Sequence, residues 1–424
     1  MNELVKYYSK NNLITHRKYK EISGYYDLSN ERLLEKYNEA FLAMFRYAIK
    51  HSSFYKNLYA DHGIGIQDIK DLTDIKKLPV ITRQLIKDRV EEIYNGLSFL
   101  RTKGLTSGTS GSPLTVYRTP VDIATEQAYI LFYRQQFGYR LGQPLLSIRG
   151  TLGKSVPHEM YKKANILYIS SPNISPGTID MYHKLIREFN PVAVEAYPSY
   201  LNKICVELEK KGLPLHIPNA FTSSEMLYQF QRERSEQYLN TRVHDWYGNA
   251  ERTIALVQDA AGGYYPLPLY SINEFEPGML ITTGLINHHF PLIRYHVTDT
   301  IEVEGGDFLQ NIVSPKIKFI DGRSGDNIDM KDGSVAGCLD HAFKGVNHIE
   351  MAQMHQYNVM DPIEIKIVKR DSFGQPDEDQ LKANLIRILG TNMEFRFIYC
   401  RPEDLTYSAS GKFNLIIKKK PANT

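Results

Sequence analysis

TIDMYHKLIREFNPVAVEAYPSYLNKICVELEKK, residues 178–211, is the stretch that decides how this chain folds. Its first third repeats apolar residues at three- and four-residue steps, the period of an amphipathic helix. Its middle, VAVEAY at 192–197, is short, apolar and rich in residues that favour strands. SYLNKICVELEKK then returns to the helical period. A helix, a buried strand and a second helix in one run make a crossover unit of a parallel sheet.

The same alternation extends outward in both directions. LLSIR (145–149) and ILYIS (166–170) precede it, and AFTSS (220–224) and VHDWYG (243–248) follow, with helical LYQFQRERSEQYL between the last two. Strands recur at roughly 25-residue intervals, so the predicted class is α/β, a largely parallel sheet with covering helices. Ligand sites in such sheets lie beyond the carboxyl ends of the strands. From residue 254 the strands become close-set: IALVQD, YYPLPL, INEFE, MLITT, IRYHV, TIEVE and KIKFI predict a small, more antiparallel β region. The first hundred residues read as helical, with Asn30 and Thr82 as caps. DGRSGDNIDMKDGS (321–334) is the best linker in the chain. The expected organisation is therefore a large amino-terminal domain over 1–322, a hinge over 323–334, and a small mobile α+β lid domain over 335–424.

Composition narrows the function classes. Of 424 residues 42% are hydrophobic and 23% charged, with a formal net charge of +3, as in an ordinary globular protein. Apart from Lys418–Lys420 the basic residues are scattered, which argues against a nucleic-acid partner. Cys205, Cys338 and Cys400 lack the paired spacing of a disulfide framework or a zinc site. No apolar run approaches the roughly 20 residues that span a bilayer. MNELVKYYSKNNLITHRKYKE has no apolar signal core, so a cytoplasmic location is expected. Oligomeric state is not readable.

GLTSGTSGSPLTVYRT (104–119) carries the first chemical signal. Glycines let backbone N–H groups close on an anion, and hydroxyls add donors that reorient, so Thr106, Ser107, Gly108, Thr109, Ser110 and Gly111 form a candidate phosphate loop. A flexible surface turn is the competing reading. The spacing is neither that of a Walker loop nor that of a nucleophile elbow.

In chain order, TSGTSGSP, YGNAE, RYHVTDT, DGRSGD and SGKFNLII resemble the motif series of the adenylate-forming superfamily, which holds acyl-CoA synthetases, luciferases and peptide-synthetase adenylation domains. MFRYAIKHSSFYKNLYADHGI and DIKDLTDIKKLPVITRQLIKD resemble the opening of its phenylacetate–CoA ligases. AYPSYLNKI and TSSEML resemble the CapK-like members of that group. The resemblance covers nearly the whole chain.

It implies attack of a carboxylate on the α-phosphate of ATP, giving acyl-AMP and pyrophosphate. On that resemblance the hydroxyl loop would hold phosphates, and Glu251 would bind Mg²⁺ rather than serve as a turn glutamate. Tyr247, with Gly248, Asn249 and Ala250, would lie along the nucleotide. Ser223, Ser224 and Glu225 would line the adenine pocket, although Ser223 is equally placed to cap a helix near Met226. Asp299 would accept the ribose hydroxyls and Arg323 would contact ribose or phosphate. Lys412 would stabilise charge in the adenylation step, carried in by rotation near Gly325 and Asp326. Tyr197, Pro198 and Ser199 would flank the acyl site. Arg149 and His244 are candidates to orient the carboxylate, the first otherwise a helix cap and the second otherwise a buried histidine.

Four departures from the family pattern stand out. Leu114 follows Pro113 where many relatives have lysine, Ala250 replaces a threonine, no glycine precedes Asp299, and Gly325 occupies a hinge position that is often acidic. The implied function is an AMP-forming ligase with coenzyme A as acceptor. The alternatives are transfer to an amine, hydroxyl or carrier thiol in surface-polysaccharide synthesis, and a non-catalytic binding protein on a ligase fold.

Overall fold

The structure is a computed structural model. It describes residues 11–105, 114–150, 152, 156–276, 278–323, 328–331, 335–336, 339–343, 346, 348–407 and 413–418.

The chain opens on helices α1 (Leu13–Tyr25), α2 (Asn30–His51), α3 (Ser53–Asp61), α4 (Arg83–Lys87) and α5 (Val90–Ile93). Ser29, one residue before the expected cap, accepts from Arg32 N and starts α2. Thr82 caps α4 as the sequence predicts. α2 buries Leu33, Tyr37, Phe41, Met44, Phe45 and Ala48, a stripe at helical spacing. Each large side chain so buried contributes roughly 1.5–3 kcal/mol. Tyr37 Oη accepts from Leu269 N at 3.0 Å, which ties this helical layer to the β region.

Next come the hairpin β1 (Thr102–Leu105) and β2 (Thr115–Arg118), then α6 (Pro120–Gln136). Thr119 and Asp122 cap α6 reciprocally, with Pro120 at its first position. An eight-stranded sheet follows, built from β3 (Leu145–Arg149), β4 (His158–Tyr161), β5 (Ile166–Ser170), β6 (Ala193–Ala196), β7 (Asn219–Ser223), β8 (Arg242–Gly248), β9 (Ala255–Gln258) and β10 (Tyr264–Pro266). Its order is β10-β9-β8-β7-β6-β3-β5-β4. The five inner strands are parallel, and helices α7 (Ile179–Phe189), α8 (Pro198–Lys211) and α9 (Gln229–Tyr238) connect them. α8 opens with Pro198 and ends at Gly212 in the left-handed region, a conformation that costs glycine little.

The α/β class is as predicted, with two refinements. HEMY at 158–161 forms an antiparallel edge strand that its polar pattern hides. The first two strands after 254 extend the main sheet instead of founding a separate one, because β9 pairs with β8 over Trp246–Gly248. The rest of that region is a three-stranded sheet, β11 (Ser271–Glu276), β12 (Met279–Gly284) and β13 (Tyr295–Val297), followed by the pair β14 (Asp299–Val303) and β15 (Ile317–Arg323) around α10 (Phe308–Val313).

After the short pair β16 (Ile328–Asp329) and β17 (Val335–Ala336), a second core forms. Strands β18 (Ile349–His355), β19 (Ile363–Lys369), β20 (Phe395–Tyr399) and β21 (Ile416–Ile417) make a four-stranded sheet covered by α11 (Gln375–Leu389). Leu381, Leu385 and Leu389 of α11 share one apolar cluster with Ile363, Ile365 and Ile367. The molecule is thus a large amino-terminal and a small carboxy-terminal α/β unit. Among the described residues no helix is long and apolar enough to cross a membrane.

The two units touch along α8 and α9. Arg370 forms a two-pronged ion pair with Glu209 at 2.8 and 2.5 Å. Arg234 donates to the carbonyls of Ile349 (3.2 Å) and Glu350 (3.3 Å), and Lys210 pairs with Glu350 at 2.9 Å.

Candidate active site

The connection leaving β3 runs to one side, toward β5, and the one leaving β6 runs to the other, toward β7. Adjacent strands whose connections diverge leave a crevice at their carboxyl ends. A cavity of about 430 Å³ opens there. From β3 and β6 it receives Arg149, Glu195 and Ala196, with Tyr197 just beyond. Its other half is built from the ends of β7 and β8: Ser223, Ser224, Gly248, Asn249 and Ala250, facing Asp299.

Several of these positions have a local cause. Gly248 cannot carry a side chain, since a Cβ would lie 2.9 Å from the Trp246 indole nitrogen and 3.1 Å from the Ile254 carbonyl. Ser224 has φ +72°, sparse territory for a non-glycine residue and a form of strain found at ligand clamps. That turn ends β7. Helix α9 begins only at Gln229 with Tyr228 as its cap, so the capping alternative for Ser223 falls away. Asn249 Oδ1 accepts from Thr253 N at 2.9 Å and its amide donates to Thr253 Oγ1 at 2.8 Å, which closes the turn after β8.

Tyr247 lies outside the lining but touches it: its hydroxyl donates to Asp299 Oδ2 at 2.7 Å. The backbone of Arg323 pairs opposite Asp299 across β14 and β15. Glu251 is buried behind Ala250, where its Oε1 accepts from Arg83 at 3.2 Å and from the Tyr295 hydroxyl at 3.0 Å. Burial, followed by the Glu251 charge, pushes the Tyr295 hydroxyl well above its ordinary pKa, so it stays a donor. Glu225 links two places: Oε2 accepts from Ser199 N at 3.0 Å and Oε1 from Phe413 N at 3.3 Å.

Two candidates change character. His244 is not brought to the cavity. It stacks on Phe137 with ring centroids 3.6 Å apart, and its Nε2 meets Asn219 Oδ1 at 3.0 Å near the amino end of β7. Burial, with Arg242 and Arg232 nearby, lowers its pKa to about 3. It is a satisfied core histidine. Arg149 lines the cavity but caps no helix; its Nε donates to Ser147 Oγ at 2.8 Å and its guanidinium pairs with Glu195. Pro198 and Ser199 are the buried first turn of α8, with Tyr197 on the cavity wall. Thr106, Ser107, Gly108, Thr109, Ser110, Gly111, Gly325, Asp326 and Lys412 lie outside the described residues.

A family model for the CapK C-terminal domain matches residues 329–419. Protein CapK of Staphylococcus aureus is 25% identical over 421 residues, which span 94% of this chain and 90% of that protein. The phenylacetate–coenzyme A ligase of Pseudomonas putida is 23% identical over 377 residues, 80% of this chain and 84% of the relative. The chain is thus similar over most of its length to CapK and to the phenylacetate–CoA ligases, and its residues 329–419 match the CapK C-terminal domain. A solved structure of 2-hydroxyisobutyryl-CoA ligase in the postadenylation state, bound to R3-HIB-AMP, shares the fold. Its TM-score is 0.72 over 91% of this chain and 90% of that one, at 14% identity.

The cavity also holds charged residues that lie outside the sequence motifs. Arg118, Glu126, Arg134, Glu195 and Arg252 all line it. Arg118 donates to the Ala250 carbonyl, and burial, followed by repulsion from Arg252, lowers its pKa. Position was the available signal: Arg118 closes the strand after the hydroxyl loop, and Arg252 directly follows YGNAE. Glu126 and Arg134 sit on α6, whose mixed polar and apolar sequence does not single them out.

Proposed function

We propose that this chain is an AMP-forming ligase that activates a carboxylic acid with ATP and passes the acyl group to coenzyme A. One observation carries the reading. Phe413, the residue after Lys412, hydrogen-bonds Glu225, which lies one residue beyond the cavity-lining Ser224. The last segment of the motif series therefore meets the TSSEML turn at the edge of the crevice. The relatives named phenylacetate–coenzyme A ligase support the same reaction type.

In the first step a carboxylate oxygen bonds to the α-phosphorus of ATP, and the bond to the β-phosphate oxygen breaks to release pyrophosphate. Two anions must approach, so charge neutralisation and alignment supply most of the catalysis. Asp299, oriented by Tyr247, would accept the ribose hydroxyls. Thr106–Gly111 would hold the outgoing phosphates, and Arg323 would add a fixed positive charge. Lys412 would neutralise charge at the reacting oxygens. In the second step the thiol sulfur bonds to the acyl carbon, AMP departs and the thiol proton passes to solvent. The domain scheme of 1–322, 323–334 and 335–424 would let the small unit turn between steps about Gly325 and Asp326.

Glu251 fits a magnesium ion that takes its other ligands from phosphates, since Mg²⁺ uses one or two carboxylates beside nucleotide oxygens. Among the described residues no group of three or more His, Cys, Asp or Glu side chains stands ready to hold a metal alone. The ion would supply charge neutralisation, and Arg83 and Tyr295 would hold Glu251 in place for it.

Exchange of labelled pyrophosphate into ATP across a carboxylate panel tests the first step. Acid-dependent exchange is expected, with a coenzyme A thioester by mass spectrometry once the thiol is added. Absence of exchange and of AMP release with every acid refutes the ligase reading. Exchange without thioester moves the acceptor to an amine, hydroxyl or carrier.

A further inference from the structure

The acyl side of the cavity is more highly charged than an aryl or alkyl acid requires. Four guanidinium groups line the cavity, Arg118, Arg134, Arg149 and Arg252, with the carboxylates of Glu126 and Glu195 among them and Asp299 facing them. Both glutamates are already engaged. Glu195 takes Arg134 on Oε2 at 2.6 Å, and Arg149 together with the Ser147 hydroxyl (2.9 Å) on Oε1. Glu126 takes Arg252 and the Tyr270 hydroxyl. With Asp299 on the facing wall, four cations stand against three anions, and Glu195 is shared by two arginines.

The two arginine–glutamate clusters sit at opposite ends of one wall. Glu126 and Arg134 are two turns apart on α6, roughly 12 Å along its axis. The cluster around Glu126 includes Arg118, whose guanidinium reaches the Ala250 carbonyl and whose Nε is buried without a partner among the described residues. This end adjoins the turn after β8. The cluster around Glu195 includes Arg134 and Arg149 and lies at the crevice between β3 and β6. Guanidinium groups only donate, so two of them on the single carboxylate of Glu195 leave donors that ask for a further acceptor. An apolar tail laid against the second cluster would desolvate it with nothing in return.

We infer that the acid activated here carries a second anionic group, at the end remote from its reacting carboxylate, and that Arg134 and Arg149 recognise it. This rests on the ligase reading for the chemistry, not for the binding. The first cluster meets the reacting carboxylate and the second meets the tail anion. Carboxylate, sulfonate and phosphonate tails share the required chemistry.

The test uses the full chain and two measurements. The panel holds straight-chain dicarboxylates from succinate to adipate, 3-sulfopropionate, 3-phosphonopropionate, phenylacetate, octanoate and alanine. Calorimetry in the presence of AMP reads binding; pyrophosphate exchange reads chemistry. Dianionic acids are expected to bind at least tenfold tighter than phenylacetate or octanoate. The Arg149→Gln variant is expected to erase that preference tenfold while its KM for ATP stays within twofold; Arg134→Gln repeats the test independently, and circular dichroism checks that both fold. Tighter binding of phenylacetate, octanoate or alanine, or a preference that survives both substitutions, overturns the inference. Exchange driven by apolar acids overturns it while the ligase reading stands. Arginine-dependent binding of dianionic acids with no exchange from any acid sustains it and sinks the ligase reading.

Discussion

The contact between the two units yields a prediction that can be worked out from distances. Glu209 on α8 accepts both prongs of Arg370 and lies 3.4 Å from Arg234 Nε. Replacing it by glutamine keeps its size and removes its charge. Breaking a buried ion pair costs about 3–5 kcal/mol. Here Glu209 is 18% exposed and Arg370 24%, so solvent screening reduces the cost, to about 2 kcal/mol. Arg234, 8% exposed, keeps its bonds to Asn202 and to the β18 carbonyls. A loss of about 2 kcal/mol lowers the ratio of docked to undocked molecules roughly 30-fold. The amide of Phe413 donates across the contact to Glu225, so its hydrogen exchange reports undocking directly. In Glu209→Gln protein with selectively labelled phenylalanine, that amide is expected to exchange roughly 30-fold faster. Glu188→Gln serves as the control, because among the described residues the exposed Glu188 pairs with the exposed Lys184 at 3.9 Å, away from the contact. Exchange at Phe413 that changes less than threefold in Glu209→Gln would refute the reasoning, since the ion pair would then contribute nothing to docking.

Lys412→Ala is expected to lower pyrophosphate exchange by at least about 100-fold, as for loss of one preorganised charge-stabilising group, with ATP affinity within threefold; normal exchange removes Lys412 from the mechanism. Tyr247→Phe deletes a hydrogen bond to a half-buried carboxylate, a loss of about 1 kcal/mol, so the KM for ATP should rise roughly fivefold with little change in kcat. An unchanged KM would separate Asp299 from the nucleotide. His244 ties stability to pH. Folded, it stays neutral down to about pH 3; unfolded, it takes a proton from its ordinary 6.5. The unfolded chain binds more protons between those values, so this contribution is complete above pH 6.5. It falls by about 1.4 kcal/mol per unit as pH drops below that. Urea unfolding at pH 7, 6 and 5 should show this component in the parent and not in His244→Gln; equal slopes would contradict it.

Much of the fold was legible because its elements are local. LLSIR, ILYIS, VAVEAY, AFTSS and VHDWYG are strands within a residue or two of their predicted limits, since apolar runs bounded by turn residues need no distant partner to be recognised. HEMY was missed because an edge strand with two exposed residues carries no apolar signature. IALVQD and YYPLPL were read as strands but assigned to the wrong sheet. Pairing is chosen by neighbours in space, and no local pattern encodes it.

The site divides along the same line. Motif residues such as Ser223, Asn249 and Asp299 announce themselves through their turns, and Arg149 through the end of its strand, whereas Arg134 and Glu195 come from two elements with unremarkable neighbours. His244 shows the converse. It stands in a motif-rich strand, yet two residues of offset put it under Phe137 instead of in the crevice.

By itself the sequence determined the α/β class and the order of the elements, because periodicity and turn preference act over a few neighbouring residues. Only the tertiary structure decided that β3 and β6 part their connections and open a crevice between them. Only it decided that four arginines and two glutamates converge there, and that α8 and α9 clasp the small unit through Glu209. Those outcomes depend on which distant surfaces meet, a choice made by the sum of many burial and pairing energies that no single stretch of chain contains.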